Sequence, residues 1–139
     1  SISLHSPYQT LFWRFFRWRE VPQFLLTVSL HYDHQIVSEV MSTCAKNFRF
    51  PFIKKILAYE VLSETDYNLN RKKIFFPNYY EDITKFLAKK KNAMKIYKSE
   101  IKKFPFPRSL QAIDALAKLR GTQIGKNAAE CFEILREIN

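Results

Sequence analysis

Residues 24–44, FLLTVSLHYDHQIVSEVMSTC, hold the transition on which the fold of this chain turns. Phe24 to Leu30 form a short apolar run of the kind that suits a buried strand. From Asp33 the period changes, because Ile36, Val37, Val40, Met41 and Cys44 recur at spacings that gather them on one face of a helix. A strand running into a helix predicts an α/β arrangement, with His31, Tyr32, Asp33 and His34 at the junction. Open α/β sheets place their chemistry at the carboxyl ends of strands, where such junctions lie. The chain has three histidines in all, so two of them beside a carboxylate make this its one constellation with chemical promise. By themselves the residues leave two readings open. Asp33 can cap a helix on a surface turn, or the group can serve metal and proton chemistry.

Working outward, Ile53 to Leu62 alternates around Ile56, Leu57, Ala58, Tyr59 and Val61 and predicts a second, core strand. Ser63 to Lys73 is polar and loop-like, and Ile74 to Tyr80 suits a short edge strand around Pro77. Asp82 or Thr84 can cap a basic helix that runs to about Phe104. Pro105 and Pro107 then impose an extended link, Ser109 caps a helix with Leu110, Ile113, Leu116 and Ala117 inward, and Gly121 stops it. A last helix is expected from about Asn127 to Glu137, with Ala128, Cys131, Phe132 and Leu135 inward. Residues 1–23 are rich in Trp, Phe and Arg and follow no regular period.

Bulk properties narrow the function classes. At 139 residues, 47% hydrophobic and 26% charged, the chain can bury a core and matches one domain or part of one. Its two glycines, Gly121 and Gly125, cannot build a phosphate-cradling loop, which argues against nucleotide chemistry. The net charge of +10 is concentrated, since residues 71–108 hold twelve Lys or Arg against three Asp or Glu. Lys85, Lys89, Lys90, Lys91, Lys95, Lys98, Lys102 and Lys103 interleave with Ile83, Leu87, Met94, Tyr97, Ile101 and Phe104 as on the solvated face of an amphipathic helix. An anionic partner is the alternative reading of that face. Cys44 and Cys131 stand alone, which fits a reducing, cytoplasmic setting. No apolar run is long enough to span a bilayer, and the start does not read as a signal peptide. His5 reads as a surface residue of a frayed terminus. Trp13 and Trp18 with Arg14, Arg17 and Arg19 read as core or an apolar patch rather than a base-stacking platform. Glu60, Glu64 and Asp66 read as structural or solvated carboxylates where a loop leaves the second strand.

Several ordered stretches between residues 31 and 139 resemble one family. HYDHQIV (31–37) is similar to the metal-binding segment of the LmbE-like (PIG-L) zinc-dependent de-N-acetylases, which reads HPDH or DLNxDHR before an apolar helix. ILAYEVLSETDYN (56–68) looks like the family's strand and following loop, Phe76-Pro77-Asn78 like its FxPN turn, and residues 82–90 like its DISKxLxKK helix start. AMKIYKSE (93–100), FPFPRS (104–109) and RGTQIGKNAAECF (120–132) resemble its AxxxYxSE, FPHPRS and RGxQxGxxxAExF stretches.

The resemblance implies a three-layer, Rossmann-like deacetylase fold, of which residues 29–139 supply the later strands and C-terminal helices while residues 1–28 stay unassigned. It implies hydrolysis of the N-acetyl group of an N-acetylglucosamine-type sugar or conjugate with zinc. His34 is then the metal ligand, His31 the group that donates to the oxyanion or leaving amine, and Asp33 the carboxylate that orients it. The family's AHPDDE segment, which carries the other ligands and the general base, does not occur in this sequence. Leu26-Thr27-Val28-Ser29 stands where a THH-type stretch is usual, and Phe106 replaces the histidine of FPHPRS. These departures lead to the expectation of a fragment that is inactive alone. A noncatalytic remnant of the fold or a small basic polyanion-binding module are the alternatives. A nucleic-acid partner is not expected, and the sequence leaves the oligomeric state open.

Overall fold

In the computed structural model the described residues are 23–27, 32–67, 69 and 74–139, with side chains left out for 23–27 and 32–34. Four strands and three helices follow in the order β1 (Gln23–Thr27), α1 (Tyr32–Cys44), β2 (Lys55–Tyr59), β3 (Tyr79–Asp82), α2 (Leu87–Lys95), α3 (Leu110–Thr122) and β4 (Ala129–Glu137). The protein is thus a mixed α/β structure. Its sheet has the order β1-β2-β4-β3. β1 and β2 are parallel, from Gln23 opposite Lys55 to Thr27 opposite Tyr59, while β2 and β4 are antiparallel. Asn78 N–H donates to Phe132 O and Ile83 N–H to Ala128 O, so partner numbers fall as they rise and β3 meets β4 antiparallel.

Packing divides the described residues into two units, one within residues 80–130 and the other within residues 23–79 together with 131–139. In the second unit, β2 carries the burial: Ile56, Leu57, Ala58 and Tyr59 are all buried. Ala45, Ile53 and Ile56 cluster with Met41 against them, which seats the last turn of α1. Arg136 donates from β4 to the carbonyl of Ala45, supplying a cation where a helix end carries unsatisfied carbonyls. In the other unit, Ile83, Ala117 and Ala128 form the core with Leu87 packed on it.

The expected strands at 24–30 and 53–62 appear as β1 and β2, with residues 28–30 of the first lying outside the described residues, as do His5 and the Trp13–Trp18 segment. Other expectations change. α1 has the expected extent, but Ile36 and Val40 are exposed and so is Cys44, while Met41 and Ala45 turn inward. The edge strand moves to Tyr79–Asp82, because Asn78 bonds β4 twice, its N–H to Phe132 O and its Oδ1 accepting from Ile134 N–H at 2.7 Å. The basic helix is short. Asp82 Oδ1 accepts from Thr84 N–H and shapes a turn ahead of it, the helix begins at Leu87, and past Lys95 bonds such as Tyr97 N–H to Met94 O and Glu100 N–H to Tyr97 O close successive turns. Around Pro105 and Pro107 the chain makes turns rather than an extended link, with Phe106 N–H to Lys103 O and Ser109 N–H to Phe106 O.

The largest correction is the last element, which is a strand and not a helix. Its Ala, Glu, Leu and Arg content favours helix, but two strands flank it and pairing on both sides overrides that propensity. The register skips between Ile56 opposite Arg136 and Leu57 opposite Ile134, so Leu135 is the extra residue of a bulge and is 48% exposed.

α3 starts as expected. Ser109 is extended, buried, and its hydroxyl accepts from Ala112 N–H at 3.1 Å. Ser109→Ala should therefore cost about 1 kcal/mol in urea unfolding, with Ser109→Asp restoring most of the loss. The helix does not stop at Gly121, which is buried within it. The stop is Gly125, whose φ of +66° is the left-handed conformation that ends helices cheaply only as glycine. No helix among the described residues is long and apolar enough to cross a membrane.

Candidate functional site

Because β1 and β2 are parallel and α1 lies between them in sequence, the second unit contains a strand–helix–strand crossover. Both strands therefore end on the same edge of the sheet. The segment leaving β1 leads to Asp33 and His34 in the first turn of α1, and the segment leaving β2 leads to Glu60, Glu64 and Asp66. The backbone thus brings the two acidic or histidine-bearing segments singled out from the sequence to one sheet edge, where α/β folds collect functional groups. His31 lies outside the described residues, and so do the side chains of Asp33 and His34.

The loop after β2 is ordered by its own bonds. Thr65 Oγ1 donates to Val61 O at 2.9 Å and accepts from Val61 N–H at 3.2 Å, and Glu64 N–H also donates to Val61 O. Ser63 takes a left-handed φ of 70°, a conformation that costs energy for a residue with a Cβ. Glu64, expected to be solvated or structural, is buried, and Asp66 is exposed.

Glu60 has a partner that no local pattern announces. The Cys131 thiol donates to Glu60 Oε2 at 2.8 Å, and Cys131 itself is buried. The two residues stand beside the pair formed by Tyr59 and Phe132 in the β2–β4 register, which fixes their approach. Seventy-one positions separate them, so only strand pairing reveals the contact.

The other stretches that resemble the family partner one another. In the unit of residues 80–130, Lys90 pairs with Glu130, joining the helix-start stretch to the last one. Arg108 pairs with Glu100 at 2.9 Å, joining FPFPRS to AMKIYKSE. A Cβ on Gly121 would lie 2.5 Å from Lys126 O and 2.8 Å from Ala128 N, so the glycine permits close approach of the chain leading into β4. These residues act as architecture.

Asp114 is held by two lysines, Lys118 at 2.6 Å and Lys91 at 2.8 Å. Their hydrogen bonds, Lys118's first, hold its carboxyl below the ordinary value of 3.8. A depressed folded-state value adds stability above the unfolded pKa, and that stability fades as pH falls through the folded value. Asp114→Asn should accordingly cost about 1 kcal/mol or less at neutral pH and flatten the loss of stability below about pH 4, as read from thermal melts across pH. The pair also corrects the solvated-face expectation for Lys91, and Glu130 corrects it for Lys90.

A catalytic zinc needs about three protein ligands and an open position. Among the described residues no group of three His, Cys, Asp or Glu could hold a metal ion. His34 is the one ligand that the resemblance assigns, and its side chain lies outside the described ones, so the described residues by themselves do not supply a zinc site. No protein-family model matches the chain, and no curated protein matches it.

Proposed function

We propose that residues 29–139 are the later part of an LmbE-like de-N-acetylase domain with the three-layer, Rossmann-like fold, built to hydrolyse the N-acetyl group of an N-acetylglucosamine-type sugar or conjugate. The observation that carries the reading is the parallel β1–α1–β2 crossover, which sets Asp33 and His34 on the same sheet edge as the Glu60–Asp66 loop. The partnering of the resembling stretches supports it, because Lys90 with Glu130 links motifs forty residues apart and Glu100 with Arg108 ties two neighbouring ones.

In this reading His31 donates to the developing oxyanion or leaving amine, and Asp33 fixes its tautomer. His34 is a metal ligand, and the remaining ligands and the base come from a segment not present in these 139 residues. The chain alone therefore binds zinc weakly and does not turn over substrate.

The test is acetate release from N-acetylglucosamine conjugates with added zinc. The 139-residue chain should be inactive, and a chain extended ahead of Phe24 by an AHPDDE-bearing strand and turn should be active. In the extended protein His34→Ala should remove bound zinc and turnover together, whereas His31→Ala should keep the zinc and lower turnover by roughly 10² to 10⁴. Chelator-sensitive turnover by the unextended chain, or indifference of the extended one to His34→Ala, would overturn the reading.

A further inference from the structure

Between buried Ala45 and buried Ile53 the chain turns through Lys46-Asn47-Phe48-Arg49-Phe50-Pro51-Phe52, and every one of these residues is exposed. The turn is ordered. Arg49 N–H and Phe50 N–H both donate to Lys46 O, and Ile53 N–H donates to Phe50 O. Its ends are anchored, because Ala45 and Ile53 pack in one cluster with Ile56. Phe48 is 78% exposed, Phe50 37% and Phe52 55%, and no other stretch among the described residues exposes three large apolar side chains within five positions. The Phe50 and Phe52 rings meet edge to face at 5.8 Å, so the two share one surface. The turn enters β2 at its start, which sets it at the opposite sheet edge from the Glu60–Asp66 loop.

Residues 40–59 contain no Asp or Glu, against Lys46, Arg49, Lys54 and Lys55. Lys55 is taken up by Glu137 at 3.2 Å. The exposed Lys46 ammonium has no ion pair or hydrogen bond among the described residues. Arg49 stands 5.8 Å from the centre of the Phe48 ring, a face contact that leaves its N–H groups to other acceptors.

A solvated turn is ordinarily built from Gly, Asn, Asp and Ser, so solubility does not account for three phenylalanines. A second copy across a twofold axis would meet the same patch, bringing its Lys46 and Arg49 against their like. Single-stranded nucleic acid stacks its bases on aromatic faces, but the Phe50 and Phe52 planes lie at 76° and cannot take neighbouring parallel bases, while Arg49 lies over Phe48. An anionic bilayer uses both features, its headgroups meeting the cations while phenylalanine rings enter the headgroup–acyl boundary.

We propose that the Lys46–Phe52 turn is a peripheral docking point for anionic phospholipid membranes, with Phe48 and Phe52 inserting and Lys46 and Arg49 supplying the attraction.

The experiment is co-sedimentation of the whole chain with vesicles of phosphatidylcholine alone or with about one third phosphatidylserine. Binding should require phosphatidylserine and fall steeply by about 0.5 M NaCl. Lys46→Gln with Arg49→Gln should weaken it roughly tenfold. Lys98→Gln with Lys103→Gln removes the same charge from exposed positions of the other unit and should change it less than about twofold. Phe48→Ser with Phe52→Ser should weaken it roughly tenfold at every salt concentration, whereas Phe48→Trp should hold or strengthen it. All these variants should melt with the parent, as exposed sites do. If the double serine variant unfolds, Phe48→Ser alone carries the test. Equal pelleting with both vesicle types, no pelleting with either, full binding by the serine variant, or equal losses from the two lysine-site pairs would overturn the proposal. Tighter binding to single-stranded RNA than to the anionic vesicles, or a dimer in solution that Phe48→Ser dissociates, would overturn it in favour of those partners.

Discussion

Phe132→Ala should lower the unfolding free energy by about 3 to 5 kcal/mol, a drop in Tm of roughly 10 to 15 °C for a chain of this size. Phe132 is fully buried on a strand flanked on both sides. It registers with Tyr59, its carbonyl accepts from Asn78 N–H at 2.9 Å, and its ring stands 6.0 Å from that of Tyr79. With neighbours fixed on both flanks by strand pairing, the site cannot collapse to refill the void, which puts the cost at the upper end for such truncations. The companion change Leu135→Ala should cost no more than about 0.5 kcal/mol, because that residue is the exposed member of the bulge. A helix over 127–137 would bury both side chains and make the two losses comparable. The ratio of the two, measured by urea unfolding, therefore tests the strand and its bulge directly.

Gly121→Val should be the most damaging change in the unit of residues 80–130, at about 3 kcal/mol. Every near neighbour of a Cβ there is backbone: Lys126 O at 2.5 Å, Ala128 N at 2.8 Å and Ala128 Cα at 2.9 Å. Lys126 N–H donates to the Gly121 carbonyl at 2.9 Å, so relief by moving that segment sacrifices a hydrogen bond and displaces buried Ala128. Gly121→Ala gains up to about 1 kcal/mol of helix propensity, which offsets part of the clash and makes it the milder variant. Gly125→Ala makes a useful contrast, since a Cβ there meets nothing within 4 Å and the cost is the left-handed backbone alone, about 1 kcal/mol. If Gly121→Val melts with the parent, the close approach of α3 to the chain entering β4 is refuted.

What the sequence disclosed follows the range of the forces involved. β2 was legible because its apolar run is buried almost throughout, and the start of α3 because Ser109 makes a bond three residues away. α1 was legible in extent but not in facing. Its apolar positions offer two overlapping stripes, and the choice between them is made by Ile53 and Ile56, which lie outside the helix. β4 was misread because two distant strands pair with it and a bulge imitates a helical repeat. For the same reason the sequence singled out the His31–His34 cluster and Glu60 separately, but not the Cys131–Glu60 bond, whose partners meet only through the register.

The sheet order has a consequence for the sequence of events during synthesis. Among the described strands β4 is the last to leave the ribosome, yet it lies between β2 and β3. Until residues 129–137 emerge, β3 lacks its neighbour among the described strands, and of those strands β2 can pair only with the earlier β1. Of the described strands only the parallel β1–β2 pair can form before that point, and two strands by themselves are too few to be stable. Completion waits for a long-range pairing, the kind of step that slows folding and prolongs exposure of strand edges to other chains. Nascent chains halted before Ala129 should be digested readily by protease, and those extended past Glu137 should resist.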